Sequence, residues 1–412
     1  MPQKNLLRVA PWFLAAFIII AHVVLSIFWR AHDEYDDTGY MLAILRGVHG
    51  GGILYREIFT QYGPFHTQAW LTLLNCTGWP IDHNHAGLVV CLLWTASAGI
   101  LGWWGFAITR NAWWAAALAC WGAWSLGAFA AELAHPISLA VLLLVLVLVG
   151  SISGDRKWCL LRSALGGAAL AALIFTKINL GVFTGVAVSL ALLTVWNRGG
   201  WLSHIAMLGA LGMPWMLLGE TWALHVRVLL GIAVCLATLM AVRTASTPKL
   251  DAVAWKPEFS AWAAGFSVAM LLIVATAMAQ GVSLADLRGG MLQRPLQLSS
   301  ISYLAPLVSS WDYLAVTTSG LLAVGWHIPR VRLCKSFWAA ATVGTAVLVL
   351  GKEALAGRDW TVGAASLLWL AIVAAEECST VHRRGVLLAV LLAAWQGLGI
   401  FPVCGAQSAI PR

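Results

Sequence analysis

Residues 11–28 read PWFLAAFIIIAHVVLSIF, and residues 32–40 read HDEYDDTGY. The first stretch carries no Asp, Glu, Lys or Arg and is as long as an α-helix must be to cross a bilayer, about 17–25 residues. The second sets Asp33, Glu34, Asp36 and Asp37 within five positions, directly beyond that apolar run. Similar apolar runs recur along all 412 residues, which are 60% hydrophobic and only 10% charged. A soluble domain carries about 25% charged residues. Mean hydropathy is +0.83. The runs are continuous rather than alternating, which excludes a β-barrel. The expected fold class is therefore an all-α integral membrane protein. Bulky and charged residues follow the first run instead of a small-residue cleavage site, so it reads as an uncleaved span.

Spans are expected near 10–29, 86–108, 112–131, 136–150, 163–176, 179–196, 201–219, 222–241, 259–280, 313–327, 336–351, 361–377 and 386–403, about 13 in all. Lys177 divides 163–196 into two short halves. With the N-terminus inside, inner segments hold 15 of the 25 Lys and Arg residues but 5 of the 17 acids. Lys and Arg decide orientation, so the bias supports a cytoplasmic N-terminus. It also accounts for the net charge of +8 without invoking nucleic acid. The eight cysteines form no CxxC, and most lie within spans, as apolar fillers do.

The acidic cluster opens the longest outer segment, 30–85, in which Gly39–Val48 and Phe65–Leu74 read as interfacial helices. A second outer segment spans 281–312 and carries Arg288 and Arg294, which can meet an anionic headgroup. No repeat or soluble domain stands out, and residues 1–412 read as a single transmembrane domain without a soluble C-terminal one. Crowded carboxylates raise one another's pKa unless a cation or donor compensates. At a membrane surface they suit a general base for a hydroxyl, or a holder of a divalent cation such as Mg or Mn. Any such metal would fall to Asp36 and Asp37.

Three further stretches carry polar chemistry. In LYREIFTQYGPF (54–65), Arg56, Glu57, Gln61 and Tyr62, with His66 just beyond, surround a Tyr-Gly-Pro turn. In AAELAHPIS, Glu132 and His135 sit in a hairpin between spans, and Pro136 starts the next helix. In IFTKINLGVF, Lys177 and Asn179 lie at a span end, where a Lys marks a functional site or snorkels to the interface. His83 and His85 have HxH spacing without further ligands, and Gly50-Gly51-Gly52 lacks the Lys and flanking strand of a phosphate loop.

In this order, the acidic cluster running into Gly39-Tyr40, LYREIFTQYGPF, Glu132 with His135-Pro136, TKINLGVF and the terminal FPVCGAQ resemble the polytopic bacterial glycosyltransferases of the GT-C type. The likeness is to the branch related to the dolichyl-phosphate-mannose protein mannosyltransferases and the lipid A aminoarabinose transferase. That resemblance implies a polyprenyl-phosphate sugar donor and a catalytic Asp in the first outer loop, here Asp36 or Asp37. It implies a lipid, glycan or protein acceptor and an inverting transfer at the outer, periplasmic face of a bacterial inner membrane. Lys177, Asn179 and Arg294 are the expected donor-phosphate ligands. Glu34, Tyr40, Arg56, Glu57, Gln61, Tyr62, His66, Glu132 and His135 are expected to line the site. Two other readings stay open: a transporter or flippase of lipid-linked or small substrates, and an inactive GT-C homologue. The second arises because Thr38 stands where relatives often carry an acid.

Overall fold

A computed structural model describes residues 2–28, 37–127, 130, 133–152, 156–196, 201–217, 224–245, 256–294, 310–328, 366–374 and 380–396. No strand occurs among them; a lone bridge joins Leu54 and Ile58. The chain forms two compact units. One comprises Met1–Gly181 with Lys256–Pro295, the other Val182–Trp255 with Leu296–Arg412.

The first unit contains α1 (Pro2–Phe28), α2 (Asp37–His49), α3 (Pro64–Thr77), α4 (His83–Thr109), α5 (Ala112–Leu126), α6 (Ile137–Val149), α7 (Arg156–Ile174), the start of α8 (Ile178–Trp196), α11 (Lys256–Ala279) and α12 (Leu284–Arg288). The second holds the rest of α8, α9 (Trp201–Leu217), α10 (Leu224–Ala245), α13 (Ser310–Trp326), α14 (Leu370–Ala374) and α15 (Thr380–Gln396). Within it Gln396 donates to the Thr184 hydroxyl at 2.7 Å, and Trp369 Nε1 donates to Ser319 Oγ at 2.9 Å.

Among the described residues four helices are long and apolar enough to cross a membrane: Pro11–Phe28, His83–Thr109, Lys157–Ile174 and Pro257–Ala279. Their outward faces explain what solvent they need. Phe13 and Phe17 of α1 are 72% and 73% exposed, and Leu271 and Leu272 of α11 are 64% and 63% exposed. Contiguous apolar faces of this kind are stable against lipid and not against water. The protein is membrane-embedded. Helices also stand at most of the other expected spans, several of them shorter than a full crossing. The expected span at 336–351 lies outside the described residues, and that at 361–377 is described only over 366–374.

Helix directions in the first unit follow from which ends touch. Near the start of α1, Trp12 packs edge-on against Phe106, late in α4. Farther along, His22 stacks on Trp124, late in α5, with ring centroids 4.9 Å apart. Thus α1 runs antiparallel to α4 and parallel to α5. Helices α7 and α11 run parallel along a seam of glycines. Gly166 faces Gly150 and Trp262, Gly167 lies against the Trp262 carbonyl, and Gly265 lies against the Ala164 carbonyl. Small residues let backbones approach this closely where lipid supplies no hydrophobic drive. The break expected at Lys177 is present, with α7 ending at Ile174 and α8 starting at Ile178.

Candidate functional site

The two interfacial helices read from sequence are α2 and α3. Helix α2 buries Met41, Leu42, Ile44 and Leu45 in the unit's core. Its first residue is Asp37, so the acidic cluster runs into a helix N-terminus, where negative charge is favoured. Thr38 is buried, and its hydroxyl accepts the Leu133 N–H at 2.9 Å, which ties this helix start to the 133–137 hairpin. The triple glycine ends the helix: Gly50 N donates to Arg46 O at 2.9 Å and Gly52 N to Gly47 O at 3.0 Å, with Gly51 at φ +93°.

The segment between α2 and α3 is held from several sides. Tyr40 Oη donates to Phe59 O at 3.2 Å. Glu57 is engaged by its own turn, accepting Ile53 N–H at 2.9 Å. Tyr55 adopts φ +69°, a left-handed conformation that costs a non-glycine residue about 1 kcal/mol or more. That conformation lets its ring pack on Gly290 while its hydroxyl donates to Tyr62 O at 2.7 Å. Arg56 pairs with Asp286 at 2.7 Å across 230 residues of chain. Ser283, in a capping box, and then Arg56 hold the Asp286 carboxyl down at about 2.

The Tyr-Gly-Pro turn is the centre of the arrangement. Gly63 N donates to Thr176 O at 3.1 Å and Phe65 N to Phe175 O at 2.9 Å, which fastens the turn to the end of α7. Gly63 lies so close to the Phe175 carbonyl that no Cβ fits. Pro64 begins α3, where its missing N–H costs nothing. On either side, Tyr62 Oη meets His135 Nε2 at 2.8 Å, and Gln61 Nε2 donates to Tyr62 Oη at 3.1 Å. Ile137 N–H donates to His135 Nδ1 at 3.3 Å, which leaves the proton on Nε2 and makes the Tyr62 oxygen its acceptor. His66 Nε2 donates to Ala134 O at 3.0 Å.

Both histidines are buried. Burial lowers the His66 pKa to about 4. Burial first, then the charge of Lys177 and any proton on neighbouring His66, pushes His135 well below its ordinary value. Both are neutral at physiological pH. Lys177, half-buried in the turn after α7, is thus the cation acting on this cluster. Asn179 caps locally, its Oδ1 accepting Leu180 N–H at 2.9 Å. Arg294 lies over the Phe59 ring at 5.5 Å.

The structure therefore joins Tyr40, Gln61, Tyr62, His66 and His135 with the turn that carries Lys177. It places Arg56, Glu57 and Arg294 on the adjoining flank. Glu34, Asp36 and Glu132 lie outside the described residues, and Asp37 is placed as the first residue of α2. Sequence reading missed Thr38, Tyr55 and Asp286. Each acts through a partner distant in the chain, and residue type alone does not announce that. His85 serves a helix start: Asp82 caps α4, taking the His85 N–H at 2.9 Å and His85 Nδ1 at 2.8 Å, while His83 is the first residue of that helix. Among the described residues no group of three His, Cys, Asp or Glu could hold a metal ion. No protein-family model, curated protein or solved structure matches this chain.

Proposed function

We propose that the protein is a glycosyltransferase of GT-C type. It has about 13 spans in one transmembrane domain, lies in a bacterial inner membrane and has a cytoplasmic N-terminus. It moves a sugar from a polyprenyl-phosphate donor to a lipid, glycan or protein hydroxyl at the outer face. The observation that carries this reading is the convergence just described. The helix start after the acidic cluster, the QYGPF turn, the His135 hairpin and the Lys177 turn are joined by hydrogen bonds in one unit. These are the segments that alternation from an inner N-terminus assigns to one membrane face.

The chemistry follows from those residue types. A carboxylate, Asp36 or Asp37, takes the acceptor's O–H proton as that oxygen attacks the anomeric carbon. The new C–O bond forms as the bond to the donor phosphate oxygen breaks, inverting the carbon and releasing polyprenyl phosphate. Lys177, with Asn179 and Arg294, balances charge gathering on the leaving phosphate. Neutral His66 and His135 add no competing charge, and their single N–H groups are spent on Ala134 O and the Tyr62 oxygen, so they brace the turn rather than bind the phosphate. A divalent cation held by the acidic cluster would serve the same electrostatic end.

The test is transfer from a radiolabelled polyprenyl-phosphate sugar pool in membranes, comparing wild type with Asp36→Asn and Asp37→Asn. Loss in one variant at unchanged expression is the expected result. Equal transfer by all three would refute the general-base role. No transfer by wild type, across the common sugars and acceptors, would favour the transporter or the inactive homologue.

A further inference from the structure

Just beyond α11 the chain turns at Gly281, φ +86°, and starts a new helix at Leu284. The helix continues through a π turn, Gly289–Gln293, to Arg294. One face of it is committed to the protein. Leu287 and Met291 join the core, and Gly290 receives the Tyr55 ring so closely that no side chain fits there. The Arg56–Asp286 pair and the Ser283 capping box fix its first turn.

Beside that face, turned outward, runs a stripe with a repeat of four: Leu284, Arg288, Leu292. All three are exposed, the leucines 63% and 48%. Phe59, 49% exposed beneath Arg294, lies on the neighbouring loop. The charges here are Arg56, Arg288 and Arg294 against Glu57 and Asp286. Both carboxylates are already engaged within the protein, Glu57 by Ile53 N–H and Asp286 by Ser283 and Arg56. Two leucines flanking a cation do not suit water, and a cation between two leucines does not suit the hydrocarbon core. The pattern suits the boundary between them, and a helix starting four residues after a membrane-crossing one stands at that depth.

We infer that Leu284–Arg294 is a lipid-surface anchor whose occupant is an anionic phospholipid. Leu284 and Leu292 enter the acyl boundary, and Arg288 between them takes the headgroup phosphate. The anchor holds the flank of the site, through Tyr55 and Arg56, at a set depth in the membrane. It does not depend on the sugar-transfer reading, because it rests on the outward stripe alone.

The test is hydrogen exchange followed by mass spectrometry on the full chain, in nanodiscs of phosphatidylcholine alone and in nanodiscs one-third phosphatidylglycerol, at low salt. An arginine at an anionic surface contributes about 1 kcal/mol, so the 284–294 amides should exchange about fivefold more slowly in the phosphatidylglycerol discs. Arg288→Gln should lose that difference while keeping the wild-type rate in phosphatidylcholine. Leu284→Ser with Leu292→Ser should speed exchange in both lipids. Equal rates for wild type in both discs would overturn the inference by showing that no anionic headgroup is taken. So would a phosphatidylglycerol effect that survives Arg288→Gln. Protection that arises only when two protein copies share a disc would assign the face to a second copy instead.

Discussion

Gly63→Ala is the sharpest probe of the arrangement. The added methyl falls on the Phe175 carbonyl group and 2.9 Å from Phe175 Cα. Every atom it meets is main chain, so no side chain can rotate aside. Relief requires the turn and the end of α7 to separate by about 1 Å, since ordinary carbon contacts lie near 3.5–4.0 Å. That movement breaks the bonds from Gly63 N to Thr176 O and from Phe65 N to Phe175 O. Each is worth about 1 kcal/mol, and a buried group left unpaired costs about 1–3 kcal/mol. The expected loss is about 2–4 kcal/mol. Gly99→Ala in α4 is the matched control, because nothing lies within 4 Å of its added methyl. There the same substitution should stabilise by about 0.5–1 kcal/mol, the helical preference for Ala over Gly. Thermal unfolding of both variants in nanodiscs should give opposite signs. Gly63→Ala should unfold roughly 4–16 °C below wild type, using about 2–4 °C per kcal/mol for a unit of this size. A Gly63→Ala midpoint at or above wild type would refute the close approach of turn and helix end.

Two predictions concern the buried cluster. Tyr62→Phe removes the oxygen that accepts from Gln61 and His135, and should cost about 1–3 kcal/mol in unfolding; an unchanged midpoint would show that the hydroxyl is not part of the structure's support. His66, with its pKa lowered to about 4 from an ordinary 6.5, binds a proton more readily unfolded than folded. Its contribution is therefore complete above pH 6.5 and is lost as pH falls from there through 4. The loss is about 2 kcal/mol by pH 5. His66→Gln should flatten stability between pH 6.5 and 5 relative to wild type, and parallel curves would overturn the assignment.

Helix placement was legible because its causes are local. The length and continuity of 11–28 or 259–280 identify a crossing, and Lys177 correctly marks a break. The helices at 39–48 and 65–74 were readable from their pattern, and the turn at 62–64 from Tyr-Gly-Pro. What those elements do for one another was not legible. Gly63 is a glycine because Phe175 occupies the space a side chain would take, and the two stand 112 positions apart. Asp286 reads as an ordinary loop acid until Arg56 arrives from 230 positions away. Thr38 looks like an acid's replacement in sequence, yet its hydroxyl fastens a helix start to a hairpin. Pairings across long separations depend on how the chain packs, and residue type at one position does not encode them.

The glycine seam between α7 and α11 bears on how the protein is made. Its halves are not neighbours in synthesis: α7 ends at Ile174, and α11 is complete only at Ala279. At about 5–20 residues per second, a ribosome needs on the order of 5–20 s to supply the partner. Throughout that interval the grooved face of α7 stands open to whatever occupies the membrane beside the insertion machinery. The Lys177 turn is mounted on the end of this helix, and the partners described for it, the QYGPF turn and His135, are already made by then. A nascent chain halted before residue 256 would carry the QYGPF turn and the His135 hairpin without their closing helix. Such a chain is the form on which membrane chaperones and quality-control proteases would act.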